Sequence, residues 1–190
     1  QFVTALPAND IAKACLAELR GLGVGVEFCI ESGDRVGIYY IEKGAVARPS
    51  KVIYDRAHSS ISEIKPGMID WDKVFGKADW FHWTGITPAL GGQLPEITLD
   101  ALKKCREKGI TVSCDLNYRG KLWTREQARA AMSELCRYVD VCISNEEDAK
   151  DVFGIEAEGT DIETGKLSEA GYRDLAKKLA GAFGAKKVAF

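Results

Sequence analysis

From residue 80 onward the apolar positions of the chain alternate between two spacings. Trp80-Phe81-His82-Trp83-Thr84 is a short aromatic run closed by Gly85 and Pro88, which predicts a strand followed by a turn. Leu94, Ile97, Ala101, Leu102 and Cys105 then recur every three or four residues and predict one buried helical face, with Gly109 just past its end. Ile110-Thr111-Val112-Ser113-Cys114 is short and rich in β-branched residues, which predicts a buried strand. Thr124 and Gln127 have the spacing of a capping box, ahead of a helix with Ala128, Ala131, Leu135 and Tyr138 on one face. Residues 139–144 read as the next strand, and Asn145 opens a helix running to Val152 or Phe153. A last helix carries Tyr172, Leu175, Leu179 and Phe183, and Gly184 ends it before a closing strand. Strands alternating with helices predict an α/β fold on a parallel sheet covered on both faces.

The first part of the chain follows this rule and then departs from it. Residues 2–6 predict a strand, and residues 10–20 a helix with Ile11, Cys15 and Leu19 on its inner face, stopped by Gly21. Residues 36–41 and 51–55 then predict two strands with no helix between them, hence an antiparallel excursion from the main sheet. A tyrosine-bearing hairpin inserted between parallel units suits a lid. The length of 190 residues predicts about one domain, spanning 1–190, with the lid strands at about 36–56.

Composition narrows the classes of function. Lys and Arg number 26 against 28 Asp and Glu, a net charge of −2, which argues against a nucleic-acid partner read through a basic face. No apolar run approaches the roughly 20 residues that span a bilayer, and residues 1–7 lack a basic leader, so no membrane partner is expected. The chain has no initiator Met and begins and ends within apolar runs, which leads to the expectation that it is a segment of a longer protein. Its six cysteines contain no C-x-x-C pair, so buried reduced thiols and a cytoplasmic location are expected rather than a zinc or redox motif.

In open parallel sheets ligands bind beyond the carboxyl ends of the strands, which singles out three segments. At Thr84-Gly85-Ile86-Thr87-Pro88, Gly85 allows backbone to approach a ligand, or serves an ordinary strand-to-helix turn. In Asp115-Leu116-Asn117-Tyr118-Arg119, Arg119 either clamps a carboxylate or phosphate with its planar fork or pairs with Asp115 at the surface. The acidic run in Ser144-Asn145-Glu146-Glu147-Asp148 either complements a helix macrodipole or supplies oxygen to Mg²⁺. Other patterns fail. Gly21-Leu22-Gly23-Val24-Gly25 follows a helix and lacks the dinucleotide spacing, and Thr160 stands where a phosphate loop beginning at Gly154 requires Lys. His58 and His82 have no paired nucleophile and read as structural.

Taken together these segments resemble the ribokinase-like carbohydrate kinases, the PfkB family. Asp115-Leu116-Asn117-Tyr118-Arg119 matches its D-x-N-x-R segment, and Ser144-Asn145-Glu146-Glu147-Asp148 lies where it has N-x-x-E, with Asp148 in place of the Glu. Residues 37–39, 52–56, 84–90 and 117–123 are most similar to the branch that acts on 2-keto-3-deoxygluconate. The resemblance implies a three-layer αβα sheet with a small β lid, and an ATP- and Mg²⁺-dependent kinase of a small sugar acid. It further implies substrate contacts from Tyr39, Tyr54, Arg56, Ile86 and Arg119, nucleotide contact from Asn145, and a place for Asp148 in the metal network through water. A homo-oligomer formed through the lid is expected from the apolar residues Ile38, Tyr40 and Ile53. The family's N-terminal glycine pair and its C-terminal G-A-G-D segment, which carries the general base, are expected outside these residues, so residues 1–190 alone are expected to be inactive. Kinases of neutral sugars, such as fructokinase or ribokinase, and a non-catalytic sugar-acid binding module are the alternatives.

Overall fold

Two short parallel strands, β1 (Ala5–Leu6) and β2 (Ile30–Glu31), flank the helix α1 (Asp10–Gly21) at the start of the chain. The computed structural model describes residues 1–156 and 169–190, in two compact units, Gln1–Asp70 and Trp71–Phe190. Asn9 caps α1 by accepting the N–H of Ala12 at 2.9 Å. The predicted inner face of this helix is corrected. Ala12 is buried and Leu16 and Leu19 are half-buried, whereas Ile11 and Cys15 are exposed. Both stripes obey helical spacing, and packing selects the one turned by a residue. The strand predicted over residues 2–6 is shorter, and its partner β2 carries no periodic signal. The N–H groups of Ile30 and Ser32 donate to the carbonyls of Thr4 and Leu6, each at 2.9 Å.

The predicted hairpin is present. β3 (Ile38–Glu42) and β4 (Lys51–Asp55) pair antiparallel, with Tyr39 opposite Tyr54 and Tyr40 opposite Ile53. Every residue of both strands is exposed, so neither face of the hairpin packs within the first unit. Arg35 anchors its base, donating to the carbonyls of Asp55 (2.8 Å) and Ala57 (3.1 Å) and pairing with the Asp55 carboxylate at 2.7 Å.

The second unit is the alternating part of the sequence. After a short helix α2 (Trp71–Val74), the strands β5 (Trp80–Thr84), β6 (Thr111–Asp115), β7 (Val141–Ile143) and β8 (Lys187–Ala189) lie side by side in chain order, every pair parallel. Helices α3 (Ile86–Ala89) and α4 (Leu94–Lys108) connect β5 to β6, and α5 (Arg125–Leu135) connects β6 to β7. α6 (Glu146–Phe153) and α7 (Glu169–Phe183) belong to the last crossover. Leu94, Ile97, Ala101, Leu102 and Cys105 are all buried, as their spacing predicts, and Gly109 ends α4 in the left-handed region at φ 69°. Full burial of a leucine such as Leu102 contributes about 2 kcal/mol over exposure, which fixes the face α4 presents inward. The capping box is formed on both sides, Thr124 N–H to Gln127 Oε1 at 2.9 Å and Gln127 N–H to Thr124 Oγ1 at 3.3 Å.

Asp140 ties the starts of three strands together. Its Oδ2 accepts the N–H of Val112 at 2.9 Å, and its carbonyl accepts the N–H groups of Lys186 and Lys187. Four of the six cysteines, Cys105, Cys114, Cys136 and Cys142, are buried free thiols. Burial pushes Cys105 and Cys142 up to about 12, so both stay protonated and act as small apolar residues. The glycine-spaced stretch after Gly154 lies in part outside the described residues.

Candidate functional site

Parallel pairing in register brings the carboxyl ends of β5 and β6 level, Thr84 beside Asp115, and pairs Asp115 with Ile143 of β7. The chain leaving each strand is then held by its neighbour. Gly85 N–H donates to the Asp115 carbonyl at 2.8 Å, and Leu116 N–H donates to the Ile143 carbonyl at 3.0 Å. This edge displays the three segments singled out from the sequence.

Ile86 opens α3 immediately beyond β5, half-buried, with its N–H 3.5 Å from Thr84 Oγ1. The same Thr84 hydroxyl accepts from Nδ2 of Asn117 at 3.1 Å, which links the β5 and β6 ends through side chains. Asn117 takes a left-handed conformation at φ 43°, reversing the chain so that Tyr118 and Arg119 follow. Neither Thr84 nor Asn117 is among the contacts read from sequence. The available signal is that Asn, of the residues with a β-carbon, tolerates this conformation best.

Arg119 is half-buried and donates from Nη1 to the carbonyl of Tyr118 at 2.8 Å. Among the described residues it forms no ion pair, with Asp115 or any other carboxylate. Asn145 caps α6, its Oδ1 accepting the N–H of Asp148 at 2.7 Å. Asp148 is 7% exposed, and its Oδ1 accepts the N–H of Tyr118 at 3.1 Å. Burial raises its pKa, against the pull of the Tyr118 N–H and of Arg119, while Asp115 and Asp151 push the same way as burial.

Among the described residues, no group of three or more His, Cys, Asp and Glu is arranged to hold a metal ion. These residues therefore do not make a cage for a resident Mg²⁺, which prefers several oxygen ligands in octahedral array.

The first unit carries the other predicted contacts. Tyr39 and Tyr54 face each other across the hairpin with ring centroids 6.4 Å apart, and the Arg56 guanidinium lies 4.4 Å from the Tyr54 ring centre. Arg56 forms no ion pair among the described residues. Alternation along the strands puts Tyr39, Ile41, Val52 and Tyr54 on one face, and Ile38, Tyr40 and Ile53 on the other. Tyr39, Tyr54 and Arg56 are thus brought together in one unit, and Ile86, Arg119, Asn145 and Asp148 along one sheet edge in the other.

No helix of the described residues is long and apolar enough to cross a membrane. The sequence matches the pfkB family carbohydrate kinases over residues 1–188. It is 37% identical over 157 residues to the 2-dehydro-3-deoxygalactonokinase of Haloferax volcanii, covering 83% of this chain and 49% of that protein. It is 34% identical over 117 residues to the 2-dehydro-3-deoxygluconokinase of Bacillus subtilis, covering 60% of this chain and 36% of that one. The chain spans about half the length of the Haloferax relative it matches. The crystal structure of 2-dehydro-3-deoxygluconokinase from Thermotoga maritima superposes with a TM-score of 0.92 at 49% identity, covering 98% of this chain and 56% of that chain. The fold is therefore the ribokinase-like α/β fold, and the chain belongs to the pfkB family of carbohydrate kinases.

Proposed function

We propose that the protein containing this chain transfers the γ-phosphoryl group of ATP to the primary hydroxyl of 2-keto-3-deoxygluconate. The observation that carries the reading is the state of Arg119, half-buried at the sheet edge and in no ion pair among the described residues. A sugar acid brings one carboxylate, and a planar guanidinium binds a carboxylate through charge-assisted hydrogen bonds. Within the first unit, Arg56, backed by the Tyr54 ring, is proposed as a cation for a sugar acid, with Tyr39 and Tyr54 beside it as the lid surface. Ile86 is proposed as a contact beside the sugar, and Asn145 as the group nearest the nucleotide phosphates.

In this reading residues 1–190 are part of one kinase domain, with residues 36–56 as its lid. The bond from the sugar oxygen to phosphorus forms as the bond to the ADP oxygen breaks, and the hydroxyl proton passes to a general base. That base is proposed to lie outside these residues, which would leave residues 1–190 inactive alone. Phosphoryl transfer depends chiefly on positioning and on neutralising charge, so the contribution of this chain is to hold the acceptor. Mg²⁺ is proposed to arrive on the ATP phosphates. The opposite face of the hairpin, with Ile38, Tyr40 and Ile53 exposed, is proposed as the contact between two copies.

The names of the Haloferax and Bacillus relatives differ in the configuration of the sugar acid, which supports a second reading, the C4 epimer 2-keto-3-deoxygalactonate. ADP release by the full coding chain, compared across both sugar acids, fructose and ribose, tests all of these. Turnover mainly with 2-keto-3-deoxygluconate is the expected result. Preference for the epimer selects the second reading, and turnover with a neutral sugar alone rejects both. Binding of the sugar acid without ADP release identifies a binding module instead.

A further inference from the structure

Both polar groups of the Tyr118 main chain are held, and by different partners. Its carbonyl accepts from Arg119 Nη1 at 2.8 Å, and its N–H donates to Asp148 Oδ1 at 3.1 Å. Asp148 is itself immobilised, because its N–H is the one that Asn145 caps at 2.7 Å and its side chain is buried. The Tyr118 ring adds a third tie, its hydroxyl donating to the Trp123 carbonyl at 3.3 Å. The first turn of α6 is thereby bonded to the loop beyond β6, across a separation of thirty residues in sequence.

From this geometry we infer that Asp148 is the positioning residue of the Tyr118–Arg119 loop, acting through the Tyr118 N–H to present the Arg119 guanidinium to an anionic substrate. The inference deepens the sugar-acid reading and rests on it for the identity of the anion. It also accounts for a carboxylate kept in a buried place where no group of metal-ligating side chains among the described residues surrounds it. Burial raises the cost of the charged form, and the Tyr118 N–H and the field of Arg119 offset only part of it. A buried acceptor of this kind is conspicuous when removed, since it leaves the donor unpaired.

The test uses the full-length protein with Asp148→Ala and Asp148→Asn. Amide hydrogen exchange at Tyr118 is read first and needs no substrate. Loss of one acceptor predicts exchange faster by about tenfold or more in Asp148→Ala, and protection close to wild type in Asp148→Asn, whose amide oxygen still accepts. Steady-state rates follow. The KM for the sugar acid is expected to rise about tenfold in Asp148→Ala, with kcat and the KM for ATP little changed, and Asp148→Asn is expected to restore it.

Unchanged protection in Asp148→Ala, or lost protection in Asp148→Asn, overturns the inference. So does equal impairment of both variants with a raised Mg²⁺ requirement, which would make the charge a metal ligand. Should Asp148→Ala not fold, Asp148→Asn decides by the same exchange measurement. A wild-type protein silent toward sugar acids defeats the substrate reading alone, because the exchange result still stands for the loop.

Discussion

Gly85 passes so close to Leu116 that a β-carbon at Gly85 would overlap the Leu116 carbonyl oxygen. The approach is produced by the strand ends themselves. Gly85 N–H bonds the Asp115 carbonyl, and Leu116, fully buried, bonds Ile143 on the other side. The glycine at this position therefore serves backbone against backbone, and through it the placement of the loop that carries Arg119.

Replacing Gly85 with Ala is expected to destabilise the protein by about 3 kcal/mol or more, since neither backbone can yield without breaking a ladder bond. Thermal unfolding of the variant measures this. A melting temperature equal to wild type would show that the β5 and β6 ends separate freely.

Arg119→Ala and Arg56→Ala are expected to raise the KM for a sugar acid by about tenfold to a hundredfold each, the range for loss of a charge-assisted hydrogen bond. The effect on a neutral sugar is expected to be small. Steady-state rates on both substrates separate the outcomes, and an equal loss on both would argue that the arginines hold the fold rather than the carboxylate.

Asp140 predicts the acid limb of stability. Burial would push its carboxyl up, but the Lys186 ammonium and the Val112 N–H outweigh burial and hold it below the usual carboxylate value of 3.8. A carboxyl depressed on folding stabilises the protein above its unfolded pKa, and that stability is lost as pH falls through the folded value. Asp140→Asn is therefore expected to be less stable than wild type at pH 7, with the difference narrowing below about pH 4. Denaturant titrations at pH 7 and pH 3 read this directly, and a difference that widens in acid would contradict it.

Much of the second unit was legible because its signals are local. The α4 stripe from Leu94 to Cys105, the Thr124 and Gln127 box and the Asn145 cap each depend on residues within a few turns of one another. Their spacing states which atoms meet. The hairpin was legible for the same reason, since two β-branched and aromatic runs without a helix between them can satisfy their backbones only by pairing.

α1 and β2 show where this stops. The stripes Ile11-Cys15-Leu19 and Ala12-Leu16-Leu19 are equally periodic, and only packing chose the second. β2 is two residues long and exists through its bonds to Thr4 and Leu6, so it left no periodic trace.

The sequence by itself determined the α/β class, the parallel direction of β5 to β8, the caps of three helices and the residue types displayed at the strand ends. Only the tertiary structure decided that Asn117 meets Thr84, that Asp148 holds Tyr118, and that Arg119 forms no ion pair among the described residues. The physical reason is the range of the interactions. A helix cap or an amphipathic stripe is closed within one element, whereas these contacts join residues about thirty positions apart and exist only once strand pairing has brought their loops to the same edge.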